Sequence, residues 1–196
     1  MLTDRFDDAL SYTARLHRSQ SRKVSGIPYI AHLMSVSALV LEYGGDEDQA
    51  IAGLLHDAVE DQGGPEAASE IARRYGDRVA GIVCECSDSD GVEKAGWDVR
   101  KRAYITGIAT KSDDAILVTA CDKLHNASSI LDDLRTVGPV VFDRFTAKQD
   151  KTLWYYRALS EALNIRLTGN SATQQSIALS KRLAATVADI EEVARA

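Results

Sequence analysis

The sequence predicts a single all-α domain, a helical bundle of roughly nine to ten helices. Three observations predict it. Apolar residues recur at helical spacing through almost every segment, and no convincing alternating run appears. Residue pairs that start helices precede several of those segments. Glycine and proline breaks then separate them, at Gly44-Gly45, Gly63-Gly64-Pro65 and Gly138-Pro139.

Taken in order, Phe6, Leu10, Thr13 and Leu16 set a first helix over residues 3–19. A polar, basic loop follows to Gly26 and Pro28, then a second helix over 29–43. Asp46 with Gln49 makes a capping box for a third, which carries Ile51, Leu54, Leu55 and His56-Asp57. Pro65 suits the first turn of a fourth helix, ending at Tyr75-Gly76. Asp77 opens another, to about Cys86, and Ser87–Gly96 reads as a loop. A helix over 97–109 precedes a long one from Ser112 to about Leu134. Thr146 with Gln149, and Ser171 with Gln174, are expected to cap the last two helices. Residues 1–164 are expected to form the main domain. Residues 165–196 form a C-terminal amphipathic helix, expected to pack on the same domain, with a homodimer contact as the alternative.

Composition limits the function classes. The net charge of −6 argues against a general nucleic-acid or acidic-membrane binder. Three cysteines, Cys84, Cys86 and Cys121, are an odd number without a disulfide framework and suit a reducing, cytoplasmic setting. Cys84-Glu85-Cys86 lacks the second pair that a soft-metal site needs, so helix packing is its expected role. The N-terminus is acidic and polar, unlike a signal peptide. No apolar run approaches the roughly 20 residues that span a bilayer.

The chemistry concentrates in LLHDAVEDQ. An apolar helix running into His56, Asp57, Glu60 and Asp61 is costly to bury unless something compensates the charge. A divalent cation is the natural compensator. His32 upstream and Asp122 downstream complete the order H…HD…D. Two imidazoles and two carboxylates from three helices suit a borderline or hard ion. Manganese or iron fits better than calcium, which prefers oxygen alone, and zinc is compatible. Such an ion lowers the pKa of bound water and draws charge from a phosphoryl oxygen. Glu60 and Asp61 are the candidate acid and base, the one as proton donor and the other as acceptor, in either order. Read singly, His32 is more often a core histidine and Asp122 an ion-pair partner. The ordered set favours a metal site.

Positive charge comes from the loop before His32. Arg15, Arg18, Arg22 and Lys23 crowd into a short stretch of an acidic protein, which points to an anion site. Arg22 could grip a phosphate or stack on a base, and Lys23 could act as a point charge. A solvated basic loop is the plainer reading.

HRSQSRKVSGIPYIAH, LLHDAVEDQ and DKLHN together resemble the hydrolase domain of the RelA/SpoT stringent-response family, part of the HD superfamily. The similarity spans roughly residues 1–160 in order and spacing. The resemblance implies an all-helical, manganese-dependent enzyme. It would remove the 3′-pyrophosphate of guanosine tetra- and pentaphosphate, giving GDP or GTP plus pyrophosphate. It implies that His32, His56, Asp57 and Asp122 are the manganese ligands. It implies that Glu60 and Asp61 are catalytic, and that Arg22, Lys23 and Asn126 contact the nucleotide. Two departures stand out. Leu33 replaces the proline that usually follows the first histidine. Ser128 replaces an arginine that many relatives carry after the DKLHN asparagine. The alternatives are an HD phosphohydrolase acting on a nucleoside monophosphate, the 2′-phosphate of NADPH or a pyrophosphorylated tRNA end, and a non-catalytic alarmone sensor.

Overall fold

Side-chain caps fix where several helices begin. In the computed structural model, which describes residues 1–22, 26–87 and 96–195, Thr3 caps α1 (Asp4–Leu16) by accepting from the Arg5 amide. Asp46 and Gln49 form the expected capping box on α3 (Glu47–Leu55). Ser112 accepts from the Ala115 amide to start α8 (Asp113–Val137). Between these lie α2 (Ile30–Glu42), α4 (Ala58–Gln62), α5 (Gly64–Tyr75), α6 (Asp77–Cys86) and α7 (Trp97–Gly107). α9 (Lys148–Leu167) and α10 (Gln174–Val193) close the chain, and two 3-10 segments lie at Ile108–Thr110 and Gly138–Arg144. Ten α-helices are thus present among the described residues. The only extended pairing among them is one antiparallel bridge, Ser21 with Pro28.

Two caps fall elsewhere than the sequence predicts. α10 is capped by Thr173 with Ser176, because Ala172 N–H turns back to the Gly169 carbonyl and the helix starts two residues later than a Ser171 cap requires. Thr146 does not cap α9, because the 3-10 segment ends at Arg144, a turn over 145–147 follows in which the Phe145 carbonyl accepts from Lys148 N–H, and the helix starts one residue later than a Thr146 cap requires. Gln149 donates instead to the Ala194 carbonyl at 3.2 Å.

α8 is the central strut. Its 25 residues span about 37 Å, and it packs against α2, α3, α6, α9 and α10. Leu124 and Leu134 of α8, Leu54 and Leu55 of α3, Leu159 and Leu163 of α9 and Leu179 and Leu183 of α10 are fully buried. Each contributes about 1.5–3 kcal/mol of burial. α2 and α3 meet closely at Gly53, where a Cβ would stand 3.1 Å from the Ser37 Cα. That approach brings His32 and His56 onto one side of the core. No helix among the described residues is long and apolar enough to cross a membrane.

Candidate metal and nucleotide site

His56 and Asp57 sit at a corner, not within one helix. α3 ends at Leu55 and α4 begins at Ala58. His56 Nδ1 donates to the Gly53 carbonyl at 2.8 Å. In an unbroken helix that carbonyl would receive the Asp57 amide, so the imidazole takes the acceptor and the helix stops. The helix that runs into His56, Asp57, Glu60 and Asp61 is therefore not continuous but bends at His56 and Asp57. The bend turns the rest of the His56 ring inward.

The structure brings the four candidate ligands together. His32, His56 and Asp57 offer ligand atoms that all lie within 4.8 Å of one another. His56 Nε2 is 3.1 Å from Asp57 Oδ2 and 3.5 Å from Asp122 Oδ1. His32 Nε2 is 3.3 Å from the same Asp122 oxygen and 3.7 Å from Asp57 Oδ2. His32, His56 and Asp122 are only 2%, 3% and 6% exposed. The His56 Nε2 is buried and makes no hydrogen bond, although two carboxylates are near it. With its proton on Nδ1, that nitrogen presents a lone pair. Orphaned buried acceptors are rare, and a cation among these four groups would satisfy this one.

Charge in the cluster is finely balanced. Burial opposes charge on His56, yet Asp57 and Asp122 beside it hold its pKa well above the ordinary histidine value. Burial outweighs the nearby carboxylates at His32, whose pKa is lowered. Burial also works against ionised Asp57 and Asp122. His56 holds Asp57 down all the same, and Lys123 followed by the two imidazoles holds Asp122 well below the carboxylate range. A divalent ion among the two carboxylates and two imidazoles would take the place of the Nε2 proton that the carboxylates favour on His56, which makes the four groups a suitable donor set.

A layer of neighbours orients these groups. Tyr29 donates its hydroxyl to Asp57 Oδ2 at 2.6 Å. Burial, then Asp57, push its phenol far up, so it remains a donor. Lys123 Nζ meets Asp122 Oδ2 at 2.6 Å, and Asn126 Nδ2 donates to Asp122 Oδ1 at 2.5 Å. His32 Nδ1 lies 2.9 Å from His125 Nδ1. Burial, then His32 and Arg22, bring His125 down to about 4, so it is uncharged at neutral pH. A neutral His125 can accept from His32 Nδ1–H, which leaves His32 Nε2 for the cluster. Tyr29, Lys123 and His125 were each inside a motif, but their type alone gave no role.

Above the cluster lies a cleft of about 570 Å³, a size suited to a nucleotide. Arg22, Tyr29, His32, Asp57, Glu60, Asp61, His125 and Asn126 line it. The backbone of the loop fixes Arg22: its N–H donates to the Ile27 carbonyl, and Tyr29 N–H donates to the Gln20 carbonyl, both at 2.9 Å. Arg22 Nη2 then donates to Asn126 Oδ1 at 2.7 Å, while Nη1 is buried with no partner among the described residues. Of the four basic residues, Arg15 and Arg18 are exposed outside the cleft, and Lys23 lies outside the described residues. Residues 88–95 of the expected loop are outside them too. Ser128 is half-buried and does not line the cleft, whereas Ser129 does.

The chain is similar to known proteins in sequence and in fold. A family model described as the HD domain matches residues 9–149. The chain is 35% identical over 125 residues to the Drosophila melanogaster guanosine-3′,5′-bis(diphosphate) 3′-pyrophosphohydrolase MESH1, covering 62% of this chain and 67% of that one. It is 32% identical over 160 residues to an Aquifex aeolicus guanosine-3′,5′-bis(diphosphate) 3′-pyrophosphohydrolase, covering 80% of this chain but 21% of that longer protein. A solved structure described as a metazoan ortholog of SpoT that hydrolyzes ppGpp superposes with a TM-score of 0.72 at 27% identity, covering 93% of this chain and 95% of that one.

Proposed function

We propose the following reaction for this chain, which belongs to the HD-domain family, the fold of metal-dependent phosphohydrolases: it removes the 3′-pyrophosphate of guanosine tetra- or pentaphosphate, releasing GDP or GTP and pyrophosphate. The observation that carries this reading is the juxtaposition of the His32, His56, Asp57 and Asp122 cluster with a nucleotide-sized cleft, in a chain similar to proteins named for that reaction.

In this reading those four residues hold a divalent ion, manganese by preference. When bound, the ion supplies positive charge to a phosphoryl oxygen and a lowered pKa to water. The chain does the rest. Arg22, with its partnerless Nη1 beside Asn126, grips the nucleotide. Asn126 joins that grip to Asp122 through its own amide. Glu60 and Asp61, on the cleft wall, move the protons: one takes a proton from the attacking water and the other serves the departing 3′ oxygen. Tyr29 keeps Asp57 turned toward the imidazoles. Residues 1–164 form the catalytic unit, with 165–196 as its packed C-terminal helix. The three free cysteines support a cytoplasmic setting.

Hydrolysis of guanosine tetraphosphate in ¹⁸O-enriched water tests the reaction. Water attacking phosphorus puts the label in pyrophosphate, with GDP unlabelled. Orthophosphate as product, or preferential turnover of a nucleoside monophosphate, of NADPH or of a pyrophosphorylated tRNA end, would contradict it.

A further inference from the structure

One hydrogen-bond chain beside the cleft has a polarity that can be fixed residue by residue. Gln20 Nε2 lies 2.7 Å from Asp61 Oδ2. An ionised carboxylate only accepts, so the amide nitrogen must face it. That turns Gln20 Oε1 the other way, where Gln62 Nε2 meets it at 2.7 Å and His17 Nδ1 at 2.6 Å. An amide oxygen also only accepts, so His17 carries its proton on Nδ1. That leaves the His17 Nε2, buried with no hydrogen-bond partner among the described residues, as the unprotonated nitrogen. The His17 ring is itself 2% exposed and stacks on Tyr29, ring centroids 5.7 Å apart. The chain thus joins the end of α1, the loop before α2 and the short helix α4. It finishes on Asp61, at the exposed lip of the cleft.

Two donors on one amide oxygen are more than a surface glutamine needs to hold a loop. They lock the amide so that its N–H can point only at Asp61. We propose that Gln20 is a positioning residue for Asp61, with His17 and Gln62 holding it. Asp61 Oδ2 is thereby engaged, and Oδ1 is the oxygen offered to the cleft. The relay separates the two acids, since it ends on Asp61 and not on Glu60. The inference rests on the reading of Asp61 as a carboxylate that moves a proton.

The test measures kcat and KM for guanosine tetraphosphate with manganese, using the full chain. The variants are Gln20→Ala, Gln20→Glu, and Gln20→Ala combined with Asp61→Asn or with Glu60→Gln. Gln20→Ala lowers kcat about 10- to 100-fold, with KM changed no more than about twofold. Gln20→Glu keeps the size but sets a carboxylate against Asp61, and does no better. In the Asp61→Asn background Gln20→Ala costs nothing further, whereas in the Glu60→Gln background it costs its full factor. Equal factors in both backgrounds, or an unchanged kcat, overturn the proposal. A second readout needs no turnover. The ¹³C resonance of the Asp61 side-chain carboxyl, assigned by its loss in Asp61→Asn, shifts in folded Gln20→Ala, and an unmoved resonance overturns the relay. A wild-type protein that leaves the nucleotide intact contradicts the proposed function, and the carboxyl resonance still decides the relay.

Discussion

His56 is 3% exposed, buried beneath the cleft, whereas Asp61, on the short helix that follows it, faces solvent at the lip. The two differ in what holds them. The floor residues are fixed by burial and by one another: His32, His56 and Asp57 offer atoms within 4.8 Å of one another, Asp122 meets both imidazoles, Tyr29 donates to Asp57, and Lys123 and Asn126 donate to Asp122. Asp61 at the lip is exposed and is held by a long polar side chain from another segment, Gln20. The floor can therefore tolerate little change in residue type, because a removed partner leaves a buried charge exposed to its neighbours. The lip is sensitive to geometry, because a misdirected carboxylate still folds but no longer aims.

The largest effect belongs to the floor. Asp57→Ala removes a ligand and strands the Tyr29 hydroxyl. It should abolish tight manganese binding by calorimetry and lower kcat/KM about 10³-fold or more. Retained metal binding would show that the cluster is structural. Arg22→Ala comes next. The account expects KM to rise about 10- to 100-fold with kcat nearly constant, as for a contact made equally in ground and transition states. A fall in kcat alone would move Arg22 from substrate grip to chemistry. Tyr29→Phe keeps the ring on His17 but deletes the 2.6 Å bond to Asp57. It should cost about three- to tenfold in kcat/KM, and an unaffected rate would mean the neighbouring imidazoles orient Asp57 unaided. Gly53→Ala should act on stability before activity. Its methyl would press on Ser37 backbone at 3.1 Å, and a loss of about 1–3 kcal/mol in chemical denaturation is expected.

The same contrast explains what could be read from the chain. The helical class follows from periodicity, and Asp46 with Gln49 marks one start correctly because both residues sit within the turn they cap. Thr146 and Ser171 mislead because neighbouring carbonyls, invisible in a local pattern, decide where those helices start. The corner at His56 escapes the sequence for a similar reason, since a periodic run does not reveal that an imidazole will take the Gly53 carbonyl. The four floor residues could be picked out by type and order, because few residue types can hold a metal, and the structure gathers them. Tyr29, His125 and Gln20 are not legible. Their roles come from partners far along the chain: Gln20 meets Asp61 41 residues away, and His32 meets His125 93 residues away. Of the basic run, only the tertiary placement of the loop shows that Arg22 enters the cleft while Arg15 and Arg18 stay outside it.

In the proposed reading, one buried cluster makes this cleft a metal-dependent alarmone hydrolase. The most direct measurement incubates the purified protein with guanosine tetraphosphate and manganese, with and without a chelator, and resolves the products by anion-exchange chromatography. The account predicts GDP and pyrophosphate in equal amounts, lost on chelation and restored by added manganese. Intact guanosine tetraphosphate, in a protein shown to hold the metal at His32, His56, Asp57 and Asp122, would contradict it.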